Sequence, residues 1–381
     1  MQNHTVIADE NIPFAEEAFS TLGNVILANG RDITSDDLSD ADILVVRSVT
    51  NVGSSLLGST DVEFVGTCTI GTDHVDLHYL SERNIGFASA PGCNANSVSE
   101  YITAVLLEMA VNKSFSLKER VLGIVGAGNV GSKVEAKALA LGMEVILNDP
   151  PLKDRTGESR YRPLKEICEA DIVTFHVPLT YEGPYPTFHM VSEDFLNACT
   201  GRGFINTSRG SVVDSNALAK KLECDGLAFC ACDVWEHEPS IDRSMAELTD
   251  IGTPHIAGYS FEGKVNGTYA VYKAVCEHFS TEPLWDYADV MGEQPQYSVS
   301  MKQGFEENIL EAVRLNYDVR DDDRRLRLAL ESDDIGASFD SLRRNYRKRR
   351  EFPHSILSCG PDAQVSHTEA LENIGFIVKS I

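Results

Sequence analysis

Short apolar segments alternate with polar, amphipathic segments through the first part of the chain. Four of these apolar segments predict strands, at residues 5–8, 25–27, 43–46 and 64–66. The segments between them have the spacing of amphipathic helices. This alternation is typical of a parallel sheet covered by helices.

A longer segment with helical periodicity follows at residues 97–111. Ser97 and Glu100 have the spacing of a capping box, which predicts that this helix begins at Ser97. The strand pattern then restarts, and each new strand ends in a polar or glycine-containing loop. Five such β/α repeats predict a doubly wound domain. The predicted strands lie at 121–125, 144–148, 172–176, 203–206 and 228–233.

The pattern changes again from about Gly292 onward. Dense mixed charge (VRDDDRRLR, 319–327) lies among helix-favouring stretches, and two short strands are predicted at 355–359 and 376–379. These features indicate a third, appended domain.

Length and composition are compatible with two or three globular domains and exclude several classes of protein. The 381 residues are 43% hydrophobic and 24% charged, as in ordinary globular proteins. A net charge of −25 repels phosphate backbones and anionic lipids, so we expect neither nucleic acid nor membrane as a partner.

Cysteine usage and the N-terminus bear on the compartment. Nine cysteines without a CxxC pair argue against a disulfide framework or a zinc site, so we expect no metal and a cytoplasmic location. The first residues, MQNHTVIADE, lack a signal-peptide pattern. No segment reaches the roughly 18 apolar residues of a membrane span.

A glycine motif follows the strand predicted at 121–125. The sequence GAGNVG places Gly126, Gly128 and Gly131 where a strand turns tightly into a helix and lets backbone N–H groups approach a pyrophosphate. The next strand ends at Asp149, 18 residues beyond Gly131, where a carboxylate would accept hydrogen bonds from the adenosine ribose. The carboxylate repels a 2′-phosphate, and two prolines follow it in place of an arginine that would bind one. The pattern therefore favours NAD over NADP. The alternative is a glycine turn that binds no nucleotide.

Three polar residues at strand ends or in loops have the chemistry for hydride transfer from a 2-hydroxy acid. That reaction needs a base for the hydroxyl proton, a group that orients the base and a cation for the carboxylate. His255 in TPHIAGYS, Glu238 in DVWEHEP and Arg209 after GFINTS are the candidates, in that order. None is diagnostic alone, since a single histidine is more often structural. His237, next to Glu238, is expected to be a bystander.

The chain carries the glycine motif, Asp149 and then the segments of Arg209, Glu238 and His255. Their order and spacing resemble the D-isomer-specific 2-hydroxyacid dehydrogenase family over roughly the first three quarters of the chain. The resemblance implies that His255 is the proton acceptor, that Glu238 pairs with it and that Arg209 binds the substrate carboxylate. It also implies an α/β fold with two doubly wound parallel-sheet domains and an appended C-terminal α+β dimerisation domain. The implied bounds are 1–96 with 258–286 for a flavodoxin-like substrate-binding or lid domain, 97–257 for a Rossmann-type NAD-binding domain and 287–381 for the dimerisation domain.

Within the family, several segments, above all YDVRDDD and FDSLRRNYRKRREF in the tail, resemble a branch that uses NAD to oxidise 4-phospho-D-erythronate to 2-oxo-3-hydroxy-4-phosphobutanoate, a step towards pyridoxal phosphate. On this resemblance Ser48, Thr67 and Tyr259 contact the substrate, although Ser48 and Thr67 taken singly suit ordinary caps or turns equally well. Val177 stands where the family pattern has a threonine, so one hydroxyl contact to the cofactor is missing. The residues implied to contact NAD are Gly126, Gly128, Asn129, Val130, Gly131, Asp149, Thr207, Asp233 and Gly258.

The segment RRNYRKRR at 343–350 carries six basic residues in eight. If the segment is helical, Arg343, Arg347 and Arg350 share one face. That face would suit internal ion pairs, nucleic acid or the homodimer contact implied by the resemblance, and the acidic chain disfavours nucleic acid. Two rival functions also stay open: a dehydrogenase for another acid such as 3-phosphoglycerate, and an NAD-responsive binding protein without turnover.

Overall fold

A computed structural model describes residues 4–360 and 363–380 of the chain. The outermost residues of the predicted first and third domains, 1–3 and 381, lie outside the described residues, as do 361–362. The chain divides into two compact units, Met1–Asn94 with Ser260–Glu293 and Ala95–Tyr259 with Gln294–Ile381. Within the described residues, no helix is both long and apolar enough to cross a membrane.

The strands of the described residues form three parallel sheets, one in the first unit and two in the second. In chain order they are β1 (His4–Asp9), β2 (Gly23–Ala28), β3 (Ile43–Val46), β4 (Phe64–Thr67), β5 (Gly86–Ala88), β6 (Val121–Val125), β7 (Glu144–Asn148), β8 (Ile172–Phe175), β9 (Gly203–Asn206), β10 (Phe229–Cys232), β11 (Ile251–Gly252), β12 (Gln296–Val299), β13 (Ile356–Cys359) and β14 (Ile377–Ser380).

The helices vary from single turns to the long α4 and α11. In chain order they are α1 (Ala15–Phe19), α2 (Ser54–Leu57), α3 (Leu77–Glu82), α4 (Ala95–Lys113), α5 (Asn129–Ala140), α6 (Pro150–Thr156), α7 (Leu164–Ile167), α8 (Glu193–Ala198), α9 (Ser215–Glu223), α10 (Arg243–Leu248), α11 (Phe261–His278), α12 (Phe305–Asn316), α13 (Val319–Leu330), α14 (Ile335–Arg344) and α15 (Val365–Ile374).

The first unit is built on a five-stranded sheet in the order β2-β1-β3-β4-β5, which is the flavodoxin-like order. All four strands predicted for this region are confirmed. β3 and β4 are buried along their whole length, which explains why the residues of β3, ILVV, form a continuous apolar run and do not alternate with polar residues. β5 escapes prediction because its three residues, GFA, are too few to form an apolar run.

The second unit contains a six-stranded sheet in the order β11-β10-β9-β8-β6-β7. The five strands predicted here are confirmed, with ends that differ by no more than one residue. The direction of winding reverses between β6 and β8. Ligands of doubly wound sheets bind outside the carboxyl ends of the strands at such a switch point.

The tail forms the third sheet, in the order β12-β13-β14, within the same compact unit. β13 and β14 confirm the two predicted strands, whereas β12 is half exposed and lacks an apolar pattern. Helices α12 and α15 pack against α4 and α5. Their apolar side chains share one core with the six-stranded sheet.

The predicted capping box at Ser97 is wrong, because α4 begins at Ala95 and both polar side chains lie inside it. Ser97 Oγ donates to a carboxylate oxygen of Glu351 at 2.7 Å, and a carboxyl oxygen of Glu100 accepts from the Phe352 N–H at 2.7 Å. The two polar residues therefore serve a buried contact with the tail, which the local spacing does not reveal.

The predicted helical face of the basic segment is also wrong, because α14 ends at Arg344. Arg347 lies beyond the end of α14 and pairs with Asp321 and Asp322. Arg349 is buried, stacks on Tyr317 with its guanidinium carbon 3.7 Å from the ring centroid, and pairs with Glu100. The structure therefore shows ion pairs within the chain, which is one of the three roles predicted for this segment.

Glu100 makes the stability of the protein depend on pH. Burial and the neighbouring Glu351 carboxylate raise the pKa of Glu100 from 4.5 to about 8. A group whose pKa is raised by folding contributes fully to stability below the pKa that it has in the unfolded chain. This contribution is lost as the pH rises through the pKa that the group has in the folded protein. We therefore expect the free energy of unfolding to fall by on the order of 2 kcal/mol or more between pH 5 and pH 8.

Urea denaturation at several pH values measures this effect. The Glu100→Gln variant should lose most of the dependence, whereas Glu119→Gln, which changes an exposed carboxylate, should keep it. Equal pH dependence in both variants would contradict the assignment to Glu100.

Candidate active site

The glycine loop joins β6 to α5 beside the switch point of the six-stranded sheet. Gly126 has φ +91°, a left-handed conformation that favours glycine. A Cβ on Gly131 would lie 2.0 Å from the carbonyl oxygen of Gly126, so only glycine lets the helix pack this closely on the strand. Gly128 is exposed, and a Cβ there would meet no atom within 4 Å. The space above Gly128 is open, and Asn129 and Val130 begin the helix beside it.

Asp149 follows β7 and lies beside the glycine loop. One carboxylate oxygen accepts from the Ala127 N–H at 2.9 Å, and the other accepts from the Leu152 N–H at 2.9 Å and caps α6. Each oxygen retains a lone pair that can accept a ribose hydroxyl. The open glycine cradle and this carboxylate together fit NAD.

The glycines provide a test that separates cofactor binding from folding. Gly128→Ala should leave the thermal midpoint unchanged and weaken NADH binding, because the methyl group would enter only the open space above the loop. Gly131→Ala should lower the thermal midpoint, because its Cβ would collide with Gly126. Fluorescence titration with NADH and thermal denaturation measure the two effects. Full NADH affinity in Gly128→Ala would contradict a pyrophosphate site at this loop.

Thr207, directly after β9, is hydrogen-bonded to His176 at the end of β8. Thr207 Oγ1 lies 3.1 Å from Nδ1 of the His176 ring, and Thr174 Oγ1 lies 3.1 Å from Nε2. Burial lowers the pKa of His176 to about 3, so the ring is neutral. Sequence analysis missed His176, although a polar residue that ends a buried strand at a switch point is a usable signal. Val177, which follows it, borders Gly126.

His255 and Glu238 form a hydrogen-bonded pair. His255 Nδ1 lies 2.7 Å from Glu238 Oε2, and the second oxygen of Glu238 accepts from the Trp235 N–H at 2.8 Å. Burial opposes the charge of Glu238, but the His255 ring and the Trp235 N–H outweigh it and hold the pKa of that carboxyl below its usual value. The His255 side chain is 34% exposed, so the ring is held from one side and remains accessible.

The loop that carries His255 is held by Asp233. His255 has φ +55°, a left-handed conformation uncommon outside glycine, and its N–H donates to the Asp233 carbonyl at 2.7 Å. The buried Asp233 carboxylate accepts from Ile256 N–H at 2.8 Å and Ala257 N–H at 2.9 Å, and from the Thr253 hydroxyl at 2.7 Å. Asp233, predicted as an NAD contact, therefore orders the loop around His255.

Arg209 follows β9 and precedes Gly210, which packs against the segment leading to Glu238. A Cβ on Gly210 would lie 2.0 Å from the carbonyl group of Trp235, so glycine is required for this close approach. Arg209 Nη1 donates to the Ser208 carbonyl at 2.8 Å, and the Asn206 side chain donates to the Arg209 carbonyl at 3.1 Å. Asn206 thus fixes the backbone of Arg209 at the end of β9, and Gly210 holds the following residue against the segment that leads to Glu238.

Gly258 and Tyr259 continue the loop beyond His255. The Tyr259 N–H donates to the Ile256 carbonyl at 2.8 Å, which closes a turn through Gly258. The Tyr259 ring makes an edge-to-face contact with Tyr346, with the ring centroids 5.7 Å apart. The predicted substrate contact at Tyr259 therefore packs against the C-terminal tail.

The other two predicted substrate residues belong to the first unit. Ser48 is exposed two residues beyond β3. Thr67, at the end of β4, is buried, and its hydroxyl lies 2.8 Å from Thr69 Oγ1 and 3.0 Å from His74 Nε2. The Thr67 hydroxyl is thus already within a hydrogen-bond network, whereas Ser48 is open to solvent.

Comparisons with known proteins first define the class. Residues 101–257 match the NAD-binding domain of the D-isomer specific 2-hydroxyacid dehydrogenases, and residues 292–375 match a domain of unknown function. D-lactate dehydrogenase from Aquifex aeolicus, solved with NAD and lactic acid, aligns with a TM-score of 0.59 at 25% identity over 72% of this chain and 95% of that one. The TT0316 protein from Thermus thermophilus aligns with a TM-score of 0.64 at 24% identity over 74% and 98%. The chain is a D-2-hydroxyacid dehydrogenase in fold and cofactor class.

Full-length relatives then define the family. The erythronate-4-phosphate dehydrogenase of Yersinia enterocolitica is 42% identical over 97% of this chain and 98% of that protein. The protein of the same name from Serratia proteamaculans is 42% identical over 98% and 99%. The chain belongs to the erythronate-4-phosphate dehydrogenase family. The predicted family, fold class and NAD cofactor are confirmed.

Proposed function

We propose that this protein oxidises 4-phospho-D-erythronate at C2 to 2-oxo-3-hydroxy-4-phosphobutanoate, with reduction of NAD, on the route to pyridoxal 5′-phosphate. The observation that carries the proposal is the 2.7 Å hydrogen bond between His255 and Glu238 in a chain that matches erythronate-4-phosphate dehydrogenases along nearly its whole length. The loop held by Asp233 supports the same conclusion, because a base must be fixed in position to act.

In the proposed mechanism, His255 accepts the proton of the C2 hydroxyl. The glycine cradle and Asp149 would hold NAD, which would accept the hydride that leaves C2. Glu238 remains an anion and stabilises the imidazolium that forms, while holding Nδ1 so that the opposite ring nitrogen receives the proton. Arg209 binds the substrate carboxylate and orients C2. Orientation of this kind supplies on the order of 7 kcal/mol, and a base supplies roughly a hundredfold or more.

We assign the remaining roles on the family resemblance. Ser48, Thr67 and Tyr259 contact the substrate; Ser48 is the exposed hydroxyl of the three. For the cofactor, the glycine loop and Asp149 bind the pyrophosphate and ribose. Thr207, Asp233 and Gly258 line the rest of the NAD site. The bonds described above support a further role for Asp233 in ordering the His255 loop.

The deciding experiment compares NADH formation from 4-phospho-D-erythronate, 3-phospho-D-glycerate and unphosphorylated D-erythronate. A 2-oxo acid is added in parallel as an acceptor, in case the product NADH stays bound. Turnover selective for 4-phospho-D-erythronate supports the proposal. Preference for 3-phosphoglycerate would retain the catalytic residues and overturn the substrate assignment. NADH binding without any turnover would favour the NAD-responsive binding protein.

We also propose that the protein is a cytoplasmic homodimer that assembles through residues 287–381. All nine cysteines are free thiols, which suits a reducing compartment. Leu328 and Val365, both in this region, are exposed apolar side chains that a partner subunit would cover. Light scattering on the purified protein measures the mass, and a monomer at micromolar concentration would contradict the dimer.

A further inference from the structure

A second histidine–glutamate pair includes the residue two positions before Glu238. His189 Nε2 lies 2.7 Å from Glu236 Oε1, the same distance as in the pair of the predicted active site. Glu236 is the first glutamate of DVWEHEP, and His189 lies in the loop between β8 and α8. Neither His189 nor Glu236 was predicted as a site residue.

The carboxylate of Glu236 joins this pair to the start of α9. Its second oxygen accepts from the Ser215 N–H at 3.2 Å. Burial opposes the charge of Glu236, but the bonds from His189 and Ser215 outweigh it and hold the pKa of this carboxyl below its usual value. The Asp214 side chain caps α9, so Glu236 adds a second anion at the point where the preceding loop enters the helix.

The loop before α9, residues 207–214, carries Arg209 and contacts both partners of the pair. We refer to it as the Arg209 loop. The His189 N–H donates to the Ser211 carbonyl at 2.9 Å. A Cβ on Gly210 would collide with the backbone nitrogen of Glu236, so the loop passes directly against that segment. The bond between His189 and Glu236 therefore joins the two segments that hold the Arg209 loop.

The segment of Glu236 has an anchor that does not depend on the pair. Trp235 is buried, and its indole N–H donates to the Thr253 carbonyl at 2.9 Å. Residues 209–211, by contrast, have no apolar side chain to pack into the core. Their position therefore depends on backbone contacts, among them those with the pair.

We propose that His189 and Glu236 are positioning residues for substrate binding: their hydrogen bond holds the Arg209 loop so that the guanidinium meets the substrate carboxylate. Bidentate bonds between a guanidinium and a carboxylate are directional, so they depend on where the loop lies. The pair acts through Arg209 and takes no part in the proton transfer. This inference deepens the proposed function and rests on it for the role of Arg209.

The test uses His189→Asn, His189→Gln and, as a matched control, His237→Asn. Both histidines have a left-handed backbone, with φ +49° at His189 and +62° at His237, and asparagine tolerates this conformation well. Asparagine is too short to reach Glu236, whereas the amide nitrogen of glutamine can take the place of Nε2. Recovery in His189→Gln therefore reports the hydrogen bond and not the backbone. Because the His189 side chain is 34% exposed, we expect all three variants to fold.

Hydrogen exchange followed by mass spectrometry measures the contact without turnover. In His189→Asn, amide exchange of the Arg209 loop should be about tenfold faster, because the loop has lost part of its support and opens more often. His189→Gln and His237→Asn should exchange at the wild-type rate.

Kinetics provide the second readout. In His189→Asn, the KM for the 2-hydroxy acid should rise about tenfold, because a misplaced guanidinium binds the carboxylate less well. The fall in kcat should be no more than about threefold, and NADH should bind within about twofold of wild type, since the change mainly removes substrate binding. His189→Gln should recover most of the loss, and His237→Asn should match the wild type.

A double-mutant cycle separates positioning from a general structural contact. In the Arg209→Gln background, adding His189→Asn should lower kcat/KM by less than about twofold, because the residue through which the pair acts has been removed. A residue that only stabilises the fold would cost the same in both backgrounds.

The outcomes separate this inference from the proposed function. An unchanged KM in His189→Asn overturns the inference, as does a tenfold loss that persists in the Arg209→Gln background. Failure of His189→Gln to recover the KM does the same, since the effect would then not come from the hydrogen bond. If the wild-type protein turns over no 2-hydroxy acid while exchange of the Arg209 loop rises in His189→Asn, the proposed function fails and the contact of the pair with the loop stands.

Discussion

Replacing His255 with asparagine is expected to lower kcat about a thousandfold while NADH binding stays within a few-fold of wild type. Asparagine tolerates the left-handed backbone of residue 255, so the loop held by Asp233 should keep its shape. Its side chain can still hydrogen-bond to Glu238, but it cannot accept the proton of the C2 hydroxyl. Steady-state kinetics and NADH fluorescence measure the two quantities separately.

His237→Asn is the matched control. His237 also has a left-handed backbone, with φ +62°, and is exposed one residue before Glu238. It should retain wild-type kcat, which would show that the effect belongs to the chemistry of His255 and not to any histidine in this region. A parallel loss of NADH binding and turnover in His255→Asn would instead indicate that the loop has collapsed.

The second large effect is expected at Arg209. Arg209→Gln should lower kcat/KM by about a hundredfold or more, because the substrate carboxylate loses a charged partner that a neutral amide cannot replace. Part of the loss should appear in kcat, since the same contact orients C2. Arg209→Lys should recover only part of the activity, because an ammonium lacks the two parallel N–H groups of a guanidinium.

Arg202→Gln is the corresponding control, because Arg202 lies at the opposite end of the same strand, β9. It is half-buried and pairs with Asp171, with 3.5 Å between the charged atoms. Kinetic constants for this variant should match those of the wild type. If Arg209→Gln and Arg202→Gln have the same small effect, Arg209 does not bind the substrate.

The strands that were predicted from the sequence end within two residues of those in the structure, because burial acts locally, whereas β5, β11 and β12 were not predicted. β3 is buried along its whole length, and its four residues, ILVV, form the unbroken apolar run that such a position favours. The glycine motif was equally clear, since the close contact of Gly131 with Gly126 acts over five residues and excludes every larger side chain. The histidine–glutamate pair followed from a family pattern, and its 2.7 Å geometry came from the structure.

Prediction failed where a polar residue depends on a partner far along the chain. Ser97 and Glu100 have capping-box spacing, yet their partners are Glu351 and Phe352, 254 and 252 residues away. The loop-ordering role of Asp233 was likewise not predicted, because its carboxylate accepts from the Thr253 hydroxyl on the loop that returns 20 residues later. Spacing describes only what a side chain can do with its immediate neighbours.

Local sequence thus determines where strands, turns and the nucleotide-binding loop form, because backbone sterics and burial of adjacent side chains decide these over a few residues. The tertiary structure decides which charges are buried and with which partners. The basic tail shows the difference: its sequence suits a solvated helical face, but packing of the whole unit buries Arg349 and places Arg343 beside Tyr259. Desolvation makes a buried charge unfavourable unless specific partners compensate for it, and the fold brings those partners together.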